Sequence, residues 1–109
     1  MSHPVDPLII YPAIDLKDGQ GVRLLHGRFD KMTVYAPDPG AQAREFVAAG
    51  CEWIHVVDLD GALVGQSANR QAVRDILACG SKVQLGGGIR SLQAVSDWLE
   101  AGVSRVILG

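Results

Sequence analysis

KVQLGGGIRSLQAVSDWLEAGVSRVIL, residues 82–108, is the stretch whose reading decides the fold. It opens on a short apolar strand, 82–85, that ends in Gly86, Gly87 and Gly88. Ser91 then suits the N-cap of a helix carrying Leu92, Val95, Trp98 and Leu99 on one face. Gly102 sits where a helix stops, and residues 104–108 (SRVIL) read as a second strand. Strand, glycine turn, helix and strand in immediate succession make a parallel βα unit.

The same grammar extends toward the N-terminus. Residues 53–59 (WIHVVDL) form an apolar strand, preceded by a helix that Asp38 caps, Pro39 opens and Gly50 stops. That helix turns Ala43, Phe46, Val47 and Ala49 to one side. Between the strands at 53–59 and 82–85, Asn69 suits the cap of a helix with Ala72, Val73, Ile76 and Leu77 at helical spacing. Asp60-Gly61 reads as the start of a loop. Residues 8–14 (LIIYPAI) form a first buried strand in spite of Pro12, with Asp15 at its end. The Asp18-Gly19 pair signals a turn into a hairpin-like excursion through Val22 and Leu25, and residues 28–37 look irregular. The FVAAG string at Phe46–Gly50 returns as WLEAG at Trp98–Gly102, each followed by a strand, so the βα module repeats. The expected architecture is α/β: four parallel strands and three connecting helices, the N-terminal half of a (β/α)8 barrel. One half-barrel domain spans 1–109, with 1–7 as a loose leader.

Composition narrows the function classes. Apolar residues make up 48% and charged residues 20% of 109 residues, with a net charge of −2. Interspersed charges offer no field for a nucleic acid or a membrane surface. No apolar run approaches the roughly 18 residues that cross a bilayer, and MSHPVDP lacks the pattern of a secretory signal. Cys51 and Cys79 stand in apolar surroundings without metal-ligand spacing, as free thiols of a cytoplasmic protein do. A full barrel takes about 250 residues. A half-barrel therefore calls for a second half or a partner, and its open strand edges favour self-association.

The chemistry-bearing groups gather at the carboxyl ends of the expected strands, where parallel α/β folds place active sites. Asp15 at such a mouth is partly desolvated and suits proton abstraction, though a capping aspartate fits the pattern as well. Gly86, Gly87 and Gly88 allow backbone amides to approach an anion at the start of a helix, and Arg90 adds a charge-assisted bond; a plain tight turn is the alternative. His55 lies mid-strand, facing either the barrel interior or the helices. Asp58 and Asp60 fit structural capping better than a metal pair, and Arg23 is either an anion clamp or a surface arginine. A GxGxxG fingerprint is absent, which speaks against a nicotinamide cofactor.

Three strings, PAIDLKDGQGVRLLHG (12–27), HVVDLDGA (55–62) and VQLGGGIRS (83–91), resemble in order and spacing the first strand-end motifs of ProFAR isomerase, the sugar-phosphate isomerase of histidine biosynthesis. The resemblance runs from about Leu8 to Gly109 and covers less than half of a family member. It implies an Amadori rearrangement of an aminoaldose to an aminoketose, on a substrate with a phosphate at each end and without metal or organic cofactor. It implies Asp15 as the general base at ribose C2, and Gly86, Gly87, Gly88, Arg90 and the fourth-strand Gly109 around one phosphate. Arg23 and His55 match positions near the substrate. The family's general acid, on strand five, and its second phosphate site, on strands seven and eight, have no counterpart here. The serine or threonine that follows the fourth-strand glycine is also missing, so the chain alone is expected to be inactive. Some relatives also isomerise phosphoribosyl anthranilate. Competing readings are a non-catalytic phosphate-binding half-barrel that self-associates and the paralogous cyclase subunit of imidazole glycerol phosphate synthase, whose first strand favours a cysteine where this chain has Ala13-Ile14-Asp15.

Overall fold

In a computed structural model of the chain, residues 11–25 and 28–109 are described. The leader at 1–7 and the start of the expected first strand, 8–10, lie outside them. Strand β1 (Ala13–Lys17) begins after Pro12, so Asp15 lies within the strand rather than beyond it. Pro12 contributes only its carbonyl, which accepts the His55 amide at 2.9 Å. The Asp18-Gly19 pair closes a two-residue hairpin to β2 (Gln20–Leu25), with φ of 51° and 76°. Both central residues at positive φ are what the twist of a tight hairpin requires.

The region read as irregular is instead β3 (Arg28–Ala36), antiparallel to β2 with two register shifts. Helix α1 (Pro39–Ala48) follows, with the Asp38 carboxylate accepting the Ala41 amide at 3.1 Å. Next come β4 (Trp53–Asp58), α2 (Leu59–Val64), α3 (Arg70–Leu77), β5 (Lys82–Gly86), α4 (Leu92–Ala101) and β6 (Arg105–Val106). Helix α2 stands where a loop was expected. It is a single short turn made possible because Asp58 caps it through the Gly61 amide, at 2.8 Å. The last strand is also shorter than the expected 104–108.

The sheet order is β3-β2-β1-β4-β5-β6. β1, β4, β5 and β6 are parallel, and the β2–β3 hairpin adds two antiparallel strands at one edge. The architecture is thus α/β, half of a (β/α)8 barrel, with the four expected parallel strands and the hairpin's two antiparallel ones besides.

Strand alternation decides which side is dry. Ile14, Leu16, Ile54, Val56, Val83 and Leu85 point to the helices and are at most 1% exposed. They pack with Ala43, Ala72, Val73, Ile76, Ile89, Trp98 and Val103. Burying each large aliphatic side chain contributes roughly 1.5–3 kcal/mol. Leu92 and Leu99, expected on the buried face of α4, are 88% and 48% exposed, because that helix meets the core through Trp98, with Ala94 and Val95 packed beside it. Cys51 and Cys79 are free thiols. Among the described residues no helix is long and apolar enough to cross a membrane.

Candidate active site

The alternation that buries Ile14 and Leu16 turns Asp15 to the opposite, open face of the sheet, and the same parity turns His55 and Gln84 there. This settles the facing of His55: it lies away from the helices. Register defines two rows across the parallel strands. Ala13, His55, Gln84 and Arg105 form one; Asp15, Val57 and Gly86 form the next, nearer the carboxyl ends. Two strand spacings separate Asp15 from Gly86, about 10 Å. Carboxylate and glycine turn therefore share one rim.

Burial raises the Asp15 pKa above the ordinary aspartate value, and the nearby His55 charge opposes the rise. His55 Nδ1 lies 3.0 Å from Gln84 Nε2, which fixes the ring within the lower row. Beneath it, Tyr11, Trp53, His55 and Gln84 line a depression of about 240 Å³. The Tyr11 and Trp53 rings meet edge to face at 6.3 Å.

Arg23 is exposed on β2, with its guanidinium 4.8 Å from the Tyr35 ring centre. Tyr35 in turn donates its hydroxyl to the Ala13 carbonyl at 3.0 Å. Burial, then the Asp15 charge, raises the Tyr35 pKa, and Arg23 counters. Tyr35 lies near Asp15 and Gln84 against His55, and neither stood out in the sequence. Gln84 shares strand parity with Gly86, which is a legible signal. Tyr35 falls in a segment with no clear period, which is not.

The glycine turn has a tighter rationale than ligand approach alone. Gly87 and Gly88 have φ of 102° and 75°, and a Cβ on Gly87 would strike the Asp58 carbonyl. On Gly88 it would come within 2.5 Å of the Gly61 carbonyl. The β5–α4 turn is thus seated directly on the β4–α2 hinge. Neither glycine amide donates, among the described residues, to a backbone carbonyl outside the regular ladders. The turn leads into α4, whose Ser91 hydroxyl accepts the Ala94 amide at 3.1 Å. Gly109 adjoins this turn, but its amide donates to Ile89 at 3.1 Å. Arg90 does not reach toward Asp15. Its guanidinium lies over Gly65, in a groove of about 570 Å³ bordered by Arg70, Arg74, Ser91 and Trp98.

Asp58 is 2% exposed and is filled by N–H donors: the amides of Gly61, Ala68 and Asn69 and the Asn69 side chain, at 2.6–3.0 Å. Capping is what the carboxylate does. Asp60 leaves the strand, because the chain turns helical at Leu59, and pairs with Lys17 at 2.8 Å. Burial would raise its pKa, but bonds from Lys17, the Asp18 amide and Asn69 bring it below the ordinary value. Among the described residues no group of three or more His, Cys, Asp or Glu is placed to hold a metal ion.

A family model described as histidine biosynthesis protein matches residues 9–109. The chain belongs to that family. Relatives include the 1-(5-phosphoribosyl)-5-((5-phosphoribosylamino)methylideneamino) imidazole-4-carboxamide isomerase of Caulobacter vibrioides, 62% identical over 103 residues. Proteins of the same printed name from a Ruegeria species and from Roseobacter denitrificans are 59% and 58% identical. Each of these matches covers 94% of this chain and 43% of the relative's length. Within the histidine biosynthesis family, then, the chain spans less than half the length of these relatives.

Proposed function

We propose that the chain carries one half of a ProFAR isomerase active site. Asp15 is its general base, and the Gly86–Gly88 turn, with the start of α4, is one of its two phosphate sites. The observation that carries this reading is the register row that sets Asp15 and Gly86 on one rim, about two strand spacings apart. In the ring-opened substrate, the C1–N unit is a protonated imine. Asp15 takes the C2 proton, and the C–H electrons form a C1–C2 double bond while nitrogen accepts the displaced pair. The enol oxygen then loses its proton, C1 gains one, and a ketone stands at C2. A base with a raised pKa accepts that proton nearer working pH. No oxidant or cofactor enters this balance.

The Gly87 and Gly88 amides and the helix start favour a phosphate dianion through aligned N–H groups. Arg90, whose guanidinium lies over Gly65 in the groove that Gly88 and Ser91 also border, adds charge, and Gly109 closes the side of the site. Arg23 and His55 flank the reacting carbons, Arg23 through its stack on Tyr35. Lacking the family's general acid and second phosphate site, the 109 residues alone turn ProFAR over at least ~10²-fold more slowly than a whole isomerase. The ligand is a phosphorylated small molecule, and the setting is cytoplasmic.

Titration of the 15N-labelled chain with ribose 5-phosphate tests the site. Saturable shifts at the Gly87, Gly88 and Leu92 amides, weakened in Arg90→Gln, are expected; a flat response at these amides contradicts it. A second reading, a half-barrel that closes its open face on another copy of itself, is favoured by Tyr11, Ile107 and Leu108, which are 49%, 43% and 67% exposed. The mass in solution decides: a dimer supports it and a monomer removes it.

A further inference from the structure

We infer that Asn69 is a positioning residue: with Asp58 and Asp60 it clasps the Asp18-Gly19 turn and so sets the place of Asp15 on the rim. The inference rests on the proposed role of Asp15 only for its catalytic consequence, since the clasp itself is a property of the fold.

Asn69 occupies the N-cap position of α3, yet its side chain makes no capping hydrogen bond. Asparagine is favoured at that position because its oxygen satisfies a free helix amide. Here the oxygen is used elsewhere. Oδ1 accepts the Gly19 amide at 2.7 Å, from a residue fifty positions away. Nδ2 faces only oxygens: Asp58 Oδ1 at 2.7 Å, Asp60 Oδ2 at 2.9 Å and the Leu16 carbonyl at 3.4 Å. An amide with one donor before its oxygen and three acceptors before its nitrogen has a single satisfying orientation. The side chain is 7% exposed, so water does not substitute for these partners.

The identity of the residue is equally constrained. Aspartate at position 69 would set a third carboxylate against Asp58 and Asp60 and could not donate to either. An aliphatic residue would leave the Gly19 amide without this acceptor and take one donor from each carboxylate, leaving Asp58 Oδ1 only the Gly61 amide and Asp60 Oδ2 only the Asp18 amide. Only a side chain that accepts at one end and donates at the other fits.

What the clasp holds is the segment just beyond Asp15. The Leu16 carbonyl, the Lys17 ammonium and the Asp18 and Gly19 amides are all bound by Asn69 or Asp60, the Asp18 amide at 2.8 Å from Asp60. Both turn residues thus have their outward amides captured from across the sheet. Asp58 completes the connection, because its carboxylate receives Asn69 and caps α2 while its backbone lies beneath Gly87. One buried network therefore ties the strand end that carries Asp15 to the floor of the glycine turn.

Nuclear magnetic resonance on the 109-residue chain tests this without turnover. In Asn69→Ala the Asp18 and Gly19 amides are expected to exchange about tenfold faster relative to Val56, as loss of a buried hydrogen bond implies. The Asp15 carboxyl is expected to titrate closer to an ordinary aspartate as the strand end loosens. Val73→Ala, which opens the α3 core without touching the network, is the control: it lowers the melting temperature but leaves the Asp15 titration in place. Identical Asp15 titration in wild type and Asn69→Ala, or an equal shift in Val73→Ala, overturns the inference. If Asn69→Ala does not fold, Asp60→Ala gives the same readout at a less buried position, with a smaller shift in the same direction expected and no shift overturning it. If Asp15 proves not to be the base, the clasp still registers here, so the two readings fail separately.

Discussion

Asp15 and His55 stand on adjacent parallel strands and on the same open face, one register row apart: Ala13 pairs with His55, and Asp15 with Val57. The carboxylate thus has a polar, chargeable neighbour on the side facing away from the core, while its strand neighbours Ile14 and Leu16 are fully buried. This arrangement lets one strand anchor the fold and present a reactive group at the same time.

The position of Asp15 has a stability consequence. Its folded pKa is raised by burial, against the pull of His55. An acid of this kind favours the folded state when protonated. That contribution is full below the unfolded value, near 3.8, and is lost as pH rises through the folded value. At neutral pH the ionised carboxylate therefore costs stability. Asp15→Asn is expected to melt above wild type at neutral pH, with the gap narrowing as the pH falls toward 3.8. Thermal scans across this range check it, and a gap that does not change with pH counts against the burial.

Two glycines of positive φ separate strain from collision. Gly80, at φ 83°, has open space around a would-be Cβ, whereas Gly87, at φ 102°, would meet the Asp58 backbone. Gly80→Ala should cost about 1–2 kcal/mol, the left-handed penalty alone. Gly87→Ala should cost clearly more, because the β5–α4 turn must lift off the hinge. Urea denaturation of both variants measures the difference.

Asp58 receives four N–H donors in a site closed to solvent. Asp58→Ala strands them and should cost about 3 kcal/mol or more. Asp60→Ala, at a partly exposed position, should cost a small fraction of that. Equal losses for the two variants would show that burial does not govern this network.

The parallel core was legible because its signals are local. Apolar strands such as WIHVVDL, caps at Asp38 and Ser91, and stops at Gly50 and Gly102 announce themselves within a few residues. Strand β3 was missed because RFDKMTVYA mixes charges into its alternation and takes its order from pairing with β2. Helix α2 was missed because Gly61 weakens helix propensity, and the cap that offsets this belongs to a carboxylate ending the preceding strand. Asn69 was placed correctly at the head of α3, but its partners lie up to fifty-three positions away, where no local rule reaches. Of the site, Asp15 and the glycine turn followed from strand ends. The facing of His55 needed the burial of Ile54 and Val56, and the outward course of Arg90 needed the packing of Gly65.

The most direct test places these 109 residues in the equivalent segment of the Caulobacter vibrioides relative and measures the kinetics of ProFAR isomerisation. The hybrid should turn over. Asp15→Asn should then lower kcat by ~10²–10⁴-fold with KM little changed, as removal of a general base does. A hybrid that keeps its kcat without the Asp15 carboxylate would contradict the account.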